Sequence, residues 1–369
     1  MENILGAPVS SQPLYDAENK LSVAVVGGSG YTGQELLRLL SSHPHVQVKA
    51  VTSRSHTGTK VSDVFPNLRK NYSLSFSNQK VKELSGEVDL IFLALPHNEA
   101  AGMVTNEVLS AAKVIDLSAD FRLKDPSAYA QWYKIDHANP ALLPKATYGL
   151  CELNTDEIKQ SRLIANPGCY ATCSILALTP LLKNELVDTN SIIIDAKSGV
   201  SGAGRAATIG SHYNECNESI KAYAVTTHRH TPEIEQELSQ QCGKQITLSF
   251  TPHLVPMNRG ILVTAYASLK AGIDAAQVEQ AYKQAYENCP FIRLYDQETD
   301  AQILPETRWV SGSNYCDISY RIDKRTGRVI VLAALDNLVK GAAGQAIQNM
   351  NIMCGFEEKL GLEHVPAFP

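Results

Sequence analysis

The 369-residue chain lacks a basic block, and its 33 Lys+Arg against 38 Asp+Glu leave a formal net charge of −5. Binding to nucleic acid through phosphate neutralisation is therefore not expected. Long apolar runs are also missing. The longest, Ala171 to Leu182, falls short of the ~20 residues a membrane-spanning helix requires. The eight cysteines include no CxxC pair and no His/Cys cluster at zinc-ligand spacing, which argues against a structural metal or a disulfide framework. Reduced thiols and a cytoplasmic location fit that pattern. Residues 1–20 contain acids but no apolar core of the signal-peptide kind, so they are expected to form a poorly ordered, solvated extension. No internal repeat or low-complexity segment is present. What remains is ordinary globular composition, 44% hydrophobic and 19% charged, in a chain long enough for two domains of ~150 residues.

Val23 to Val26 form an apolar, β-branched run of the kind buried on both faces of a sheet. Glycines follow, and then Leu36, Leu37, Leu39 and Leu40 recur at helical spacing up to His43-Pro44. With strands at 46–51, 88–95 and 114–117, the pattern predicts a doubly wound parallel sheet over residues 21–165. From residue 166 the pattern changes. Strands are expected at 191–196, 245–250, 261–268, 315–322 and 329–335, with helices at 232–239 and 275–288. Residues 166–335 thus read as an α+β domain with a mixed or antiparallel sheet. A last helix is expected over 337–353, within a C-terminal segment 336–369.

Gly28, Ser29, Gly30, Tyr31, Thr32 and Gly33 form GxGxxG between the first strand and the first helix. Small residues there let the backbone approach a pyrophosphate, which the helix N-terminus then faces with free N–H groups. An NAD site usually places an acid at the end of the second strand; here Ser53, Arg54 and Ser55 follow it. Hydroxyls and a guanidinium suit a 2′-phosphate, so NADP(H) is favoured over NAD(H).

Cys169 follows Pro167-Gly168 and opens the apolar helix 171–182. A thiol at a helix N-terminus is expected to have a lowered pKa, and the same amides suit an oxyanion. The other cysteines read as small buried hydrophobes. His228 and His230 flank Arg229 just before a helix for which Thr231 is the expected N-cap and Pro232 the first residue. Imidazoles suit proton transfer near neutral pH, and either residue is a candidate base. Ser198, Gly199 and Arg205 belong to a second small-residue loop after a strand, able to present amides to a phosphate or carboxylate. Arg122, just past another strand end, and Arg259 complete the anion-site candidates.

Taken together, GGSGYTG at 27–33, LSADFR at 117–122, NPGCYAT at 166–172, SGVSGAGR at 198–205, HRHTPE at 228–233 and DNLVKGAAGQAIQNMN at 336–351 resemble the N-acetyl-γ-glutamyl-phosphate reductases of arginine biosynthesis, in the semialdehyde dehydrogenase superfamily. The resemblance implies a Rossmann domain, a catalytic domain, and a C-terminal helix that returns to the first. It implies Cys169 as nucleophile, NADP held by Ser29 to Thr32, Ser53 to Ser55 and Asn337, and His230 or His228 as base, with His230 favoured beside the helix start. It implies a small acyl-phosphate substrate, a thioester intermediate, no metal, and a homo-oligomer, dimer or tetramer. Arg122 or the 198–205 loop would hold the phosphate or the substrate carboxylate. The chain departs from the family's YGLPE in having Cys151 for Pro, and residues 1–20 have no counterpart in the motifs. Rival readings are a reductase of another acyl phosphate (aspartyl or carrier-linked aminoadipyl), an NADP-sensing scaffold, and a cysteine hydrolase that would make the 28–33 loop irrelevant.

Overall fold

A computed structural model describes residue 15, residues 18–295, residue 300 and residues 302–368. The expected extension at 1–20 lies mostly outside the described residues. Among the described residues, six strands form a wholly parallel sheet: β1 (Leu21–Val26), β2 (Val46–Thr52), β3 (Leu90–Leu93), β4 (Lys113–Asp116), β5 (Ala146–Tyr148) and β6 (Leu163–Ala165). Their order is β2-β1-β3-β4-β6-β5. Leu21, Val23 and Val25 of β1 face one apolar core, while Ala24 and Val26 face another. Burial on both faces explains why the strand lacks polar alternation. The chain leaves β1 toward β2 and returns on its far side as β3. This reversal opens a crevice beyond the carboxyl ends of β1 and β3, where ligands bind in open α/β sheets.

The second sheet is mixed. It contains β7 (Ile193–Ser198), β8 (Lys221–Ala222), β9 (Ser249–Leu254), β10 (Ile261–Ser268), β11 (Ile292–Leu294), β12 (Cys316–Asp323) and β13 (Arg328–Leu335), in the order β11-β12-β13-β10-β7-β9-β8. The strand expected at 245–250 is displaced to Ser249–Leu254; Pro252 is accommodated there because its carbonyl, not a missing N–H, takes the bond from Tyr223. Ile261, Val263, Ala265 and Ala267 of β10 are buried in strict alternation.

Six helices carry the rest of the argument: α1 (Tyr31–Leu40), α2 (Cys151–Gln160), α3 (Cys169–Lys183), α4 (His230–Cys242), α5 (Ala275–Tyr286) and α6 (Gly344–Cys354). Helix α3 is buried from Tyr170 through Leu182, between the second sheet and helices α4 and α5. Pro180 interrupts its ladder by removing the N–H that would reach Leu176. The Tyr286 hydroxyl donates to that carbonyl at 2.6 Å, so the freed acceptor is satisfied inside the core.

The last helix is not continuous from residue 337. A π-helical turn, Val339–Ala343, precedes α6 and is closed by Gly341 N–H to Asp336 O and Ala343 N–H to Leu338 O. Helix α6 then packs on α2 and α1, and Ala346, Ile347 and Met350 join the core of the first sheet. Arg259 serves this junction, not an anion. Its Nη2 donates to Glu35 of α1 at 2.8 Å and to Asp336 at 3.0 Å, so two carboxylates of this junction already hold the guanidinium.

Candidate active site

Gly27 has φ +81°, and a Cβ there would stand 2.3 Å from Ala94 O. A Cβ on Gly33 would stand 2.6 Å from the Gly28 Cα. The loop therefore needs glycine to fold between β1 and β3 and to seat α1 against it. Gly30 is the N-cap of α1, and no side chain caps the helix. The first-turn amides are thus left for an anion. Ser29 and Ser53 join their hydroxyls at 2.8 Å, which ties the loop to the end of β2. Beside them lies a cleft of about 480 Å³ lined by Ser53, Arg54, Asn78, Lys80, Leu95 and Met103. Arg54, Lys80 and Lys82 line this cleft, and with no acid at the end of β2 they fit a 2′-phosphorylated dinucleotide. Arg54 is exposed and paired with Glu99.

Cys169 begins α3 at the mouth of the crevice. The preceding loop is held from three sides. Glu233 Oε1 accepts the Gly168 N–H at 2.8 Å and the Tyr148 hydroxyl at 2.8 Å. Arg122 Nε donates to Asn166 O at 2.8 Å, and its Nη1 reaches Glu233 Oε2 at 3.4 Å. Asn166 Nδ2 donates to Ala342 O of the π-turn, and Asn349 of α6 donates to Asn166 Oδ1. A Cβ on Gly341 would lie 2.7 Å from the Cys169 Cβ. The widened turn thus brings bare backbone against the nucleophile candidate, and π-turns often occur at functional sites.

The expected low pKa of Cys169 is not what this setting produces. Burial pushes the thiol up to about 11, against the pull of the Arg122 charge and of the Tyr170 and Cys169 amides. At rest the group is a thiol. The helix terminus and Arg122 favour the thiolate, but desolvation outweighs them.

His230 lies against the same loop: a Cβ on Gly168 would be 2.4 Å from its Nε2. Burial, then the charges of Arg122 and Arg229, hold its pKa well below the usual imidazole value, so the ring is neutral. Among the described residues no carboxylate orients it, and its buried Nδ1 has no hydrogen-bond partner. The ring packs instead on Tyr170 and His228, with centroids 6.0 and 4.8 Å away. His228 has another task. Its Nδ1 accepts the His230 N–H at 3.1 Å, and its ring is caged by Tyr170, Tyr223 and Phe250. This bond caps α4, so the helix starts at His230, earlier than the expected Thr231 cap. Pro232 still falls in the first turn, where its missing N–H is tolerated.

The 198–205 loop does not offer its amides to a ligand. The N–H groups of Gly199, Val200 and Ser201 bond the carbonyls of Gly260, Met257 and Asn258, and those of Gly202 and Gly204 turn back to Gly199 and Ser201. The Ser198 hydroxyl bonds Gly199 O. Arg205 leaves this loop for the dinucleotide side, where its Nη1 donates to Ser29 O at 2.8 Å and its guanidinium lies 5.0 Å from the Phe65 ring centre. Asn337 is buried, accepts from Gly260 N–H and donates to Ser201 Oγ, joining the two loops beside the π-turn. Cys151, which stands where the family's YGLPE has Pro, is buried and donates to Asn349 Oδ1 at 3.2 Å, tying the start of α2 to α6.

Glu233, the last residue of HRHTPE, joins this site although the sequence alone assigns it no role. Its position at i+3 from His230 puts both on one helix face, a signal that was present. Tyr148 and Gly341 carried no comparable sign.

Residues 22–161 match the family model for the semialdehyde dehydrogenase NAD binding domain, and residues 169–337 the semialdehyde dehydrogenase dimerisation domain. An N-acetyl-gamma-glutamyl-phosphate reductase from Campylobacter jejuni is 53% identical over 344 residues, covering 93% of this chain and 98% of that relative. One from Lachnoclostridium phytofermentans is 51% identical over 349 residues, covering 95% of this chain and 100% of that relative. Among solved structures, aspartate semialdehyde dehydrogenase II from Vibrio cholerae has a TM-score of 0.66 at 18% identity, over 90% of this chain and 98% of that one. Aspartate semialdehyde dehydrogenase with NADP from Candida albicans has a TM-score of 0.63 at 18% identity, over 90% of this chain and 98% of that one. At that identity the likeness concerns the fold.

Proposed function

Since this chain belongs to the N-acetyl-gamma-glutamyl-phosphate reductase family, we propose that it reduces N-acetyl-γ-glutamyl phosphate to N-acetylglutamate 5-semialdehyde with release of phosphate. The observation that carries this reading is the junction at Gly168, where Glu233, Arg122 and His230 meet the residue before Cys169.

The resting pair is a neutral thiol and a neutral imidazole. His230 takes the thiol proton as sulfur attacks the acyl carbon. The carbon–oxygen bond to phosphate breaks, its electron pair leaves with the phosphate, and the imidazolium returns the proton to that group. A thioester on Cys169 remains. When bound, NADPH supplies the hydride that reduces the thioester carbon. Arg122 supports the negative charge that develops beside Cys169. Collapse of the hemithioacetal breaks the carbon–sulfur bond, releases the aldehyde and returns the sulfur as thiolate, which regains a proton from solvent. Glu233 acts through the others by fixing the Gly168 amide and Arg122. His230 is assigned the proton transfers because His228 Nδ1 is already engaged in capping α4.

The amides at the start of α1 and the Ser29–Ser53 pair are assigned to NADP, with Arg54 and Lys80 toward its 2′-phosphate. Arg54→Ala should raise the Kd for NADP about tenfold and leave that for NAD within about twofold, as isothermal titration would measure. Equal weakening of both would remove Arg54 from the phosphate site.

Among the described residues no helix is long and apolar enough to cross a membrane. All eight cysteines are free, which supports a cytoplasmic setting. Ile209, Tyr213 and Ile220 are exposed within the segment that matches the dimerisation domain, which supports a homo-oligomer, a dimer or tetramer. The activity is tested in reverse: N-acetylglutamate semialdehyde should sustain multiple-turnover reduction of NADP only when phosphate is present, and faster than aspartate semialdehyde does. Reduction without phosphate dependence, or preference for aspartate semialdehyde, would reject the reading.

A further inference from the structure

Arg54, Arg122, Arg205 and Arg259 all have protein acceptors for their guanidinium groups. Arg229 does not: among the described residues it has no hydrogen bond or ion pair. Its guanidinium carbon lies 5.4 Å from the centre of the Tyr133 ring. Tyr133 ends the helix Pro126–Tyr133 on the side of the first sheet, whereas Arg229 belongs to the turn before α4. The exposed side chain therefore reaches from one element to the other, with one face on an aromatic ring and no protein acceptor on its N–H groups among the described residues. Among the described residues no carboxylate pairs with it. Asp120 is held by the Asn98 and Ala101 amides and the Tyr129 hydroxyl. Glu233 is held by Gly168, Tyr148 and Arg122. His97, 5.7 Å from Tyr133 between ring centres, completes this part of the cleft. Burial first and the Arg229 charge second push it down to about 4, so it adds no competing cation.

The acyl phosphate of the proposed substrate carries two anionic ends. Arg122 lies against Gly168, directly before Cys169, and serves the reacting end. The α-carboxylate is four bonds from the acyl carbon, so it needs a cation set back from the sulfur with unengaged donors facing the cleft. We infer that Arg229 is the residue that binds the substrate's α-carboxylate and so selects for it. This rests on the reading of the activity given above. A guanidinium pre-oriented on Tyr133 presents two parallel N–H groups to a carboxylate, a geometry that lysine does not reproduce.

The test compares two aldehydes in the phosphate-dependent direction: N-acetylglutamate semialdehyde and 4-acetamidobutanal, which differs only in lacking the carboxylate. The ratio of their kcat/KM values is the readout, because an unfolded or inactive fraction cancels from it. Arg229→Gln should lower that ratio about 10- to 100-fold, chiefly through KM for the carboxylated aldehyde. Arg229→Lys should recover part of it. A ratio that Arg229→Gln leaves unmoved in an enzyme active with N-acetylglutamate semialdehyde would overturn the inference alone, since Arg229 would then act on both substrates through His230. A wild type inactive on both aldehydes would overturn the proposed activity, and this subsite with it.

Discussion

Cys169→Ser should bind NADPH as the wild type does and reduce acyl phosphate at least about 10⁴-fold more slowly, because the nucleophile that forms the covalent intermediate is gone. A serine hydroxyl fits the same space, so the fold is preserved. It is a far poorer nucleophile, and its ester would lack the reactivity toward hydride that a thioester has. The environment sharpens the contrast. Burial already pushes the Cys169 thiol up to about 11; it would penalise an alkoxide far more. Arg122 and the amides at the start of α3 pull toward the thiolate without outweighing burial, so the thiol proton needs an acceptor. NADPH affinity, followed by fluorescence titration, separates this from misfolding. Turnover within tenfold of the wild type would remove Cys169 from the chemistry.

His230→Asn should lower kcat by about 10²–10⁴, with KM for NADP unchanged. The reason is the protonation state of the pair. A thiol this hard to ionise needs an acceptor, and His230 is neutral because burial and the Arg122 charge exclude its proton. Its Nε2 faces the Gly168 backbone, where the thiol proton is to be received. His228→Asn should cost less, since the His228 ring packs among Tyr170, Tyr223 and Phe250 and caps α4. If His228→Asn proves the more damaging change in steady-state kinetics, the proton transfers belong to that imidazole instead.

The parallel sheet was readable because buried strands such as β1 leave apolar runs, and because the GxGxxG of residues 28–33 sits directly between such a run and a helical repeat. Cys169 was readable for a similar reason: a Pro-Gly turn and an apolar helix are local features. What escaped detection depends on contacts distant in sequence. The four-residue displacement of β9 answers to its pairing with β7, not to its own propensity. The π-turn before α6 is shaped by Gly341 passing Cys169, a contact 172 positions away by subtraction of those residue numbers. Arg259 and Arg229 look alike in sequence, yet one is clamped by Glu35 and Asp336 and the other lies against the Tyr133 ring. The thiol pKa was misjudged because a helix terminus is visible in sequence and desolvation is not.

The direct test of covalent catalysis at Cys169 is a single-turnover mixing of the enzyme with N-acetylglutamate semialdehyde and NADP in the absence of phosphate, followed by mass analysis of the quenched protein. The expected result is a burst of NADPH equal to the number of active sites, with an N-acetylglutamyl group on the peptide that contains Cys169, and loss of that group when phosphate is added. A phosphate-free mixture that gives no burst, or an acyl group carried on any other residue, would contradict it.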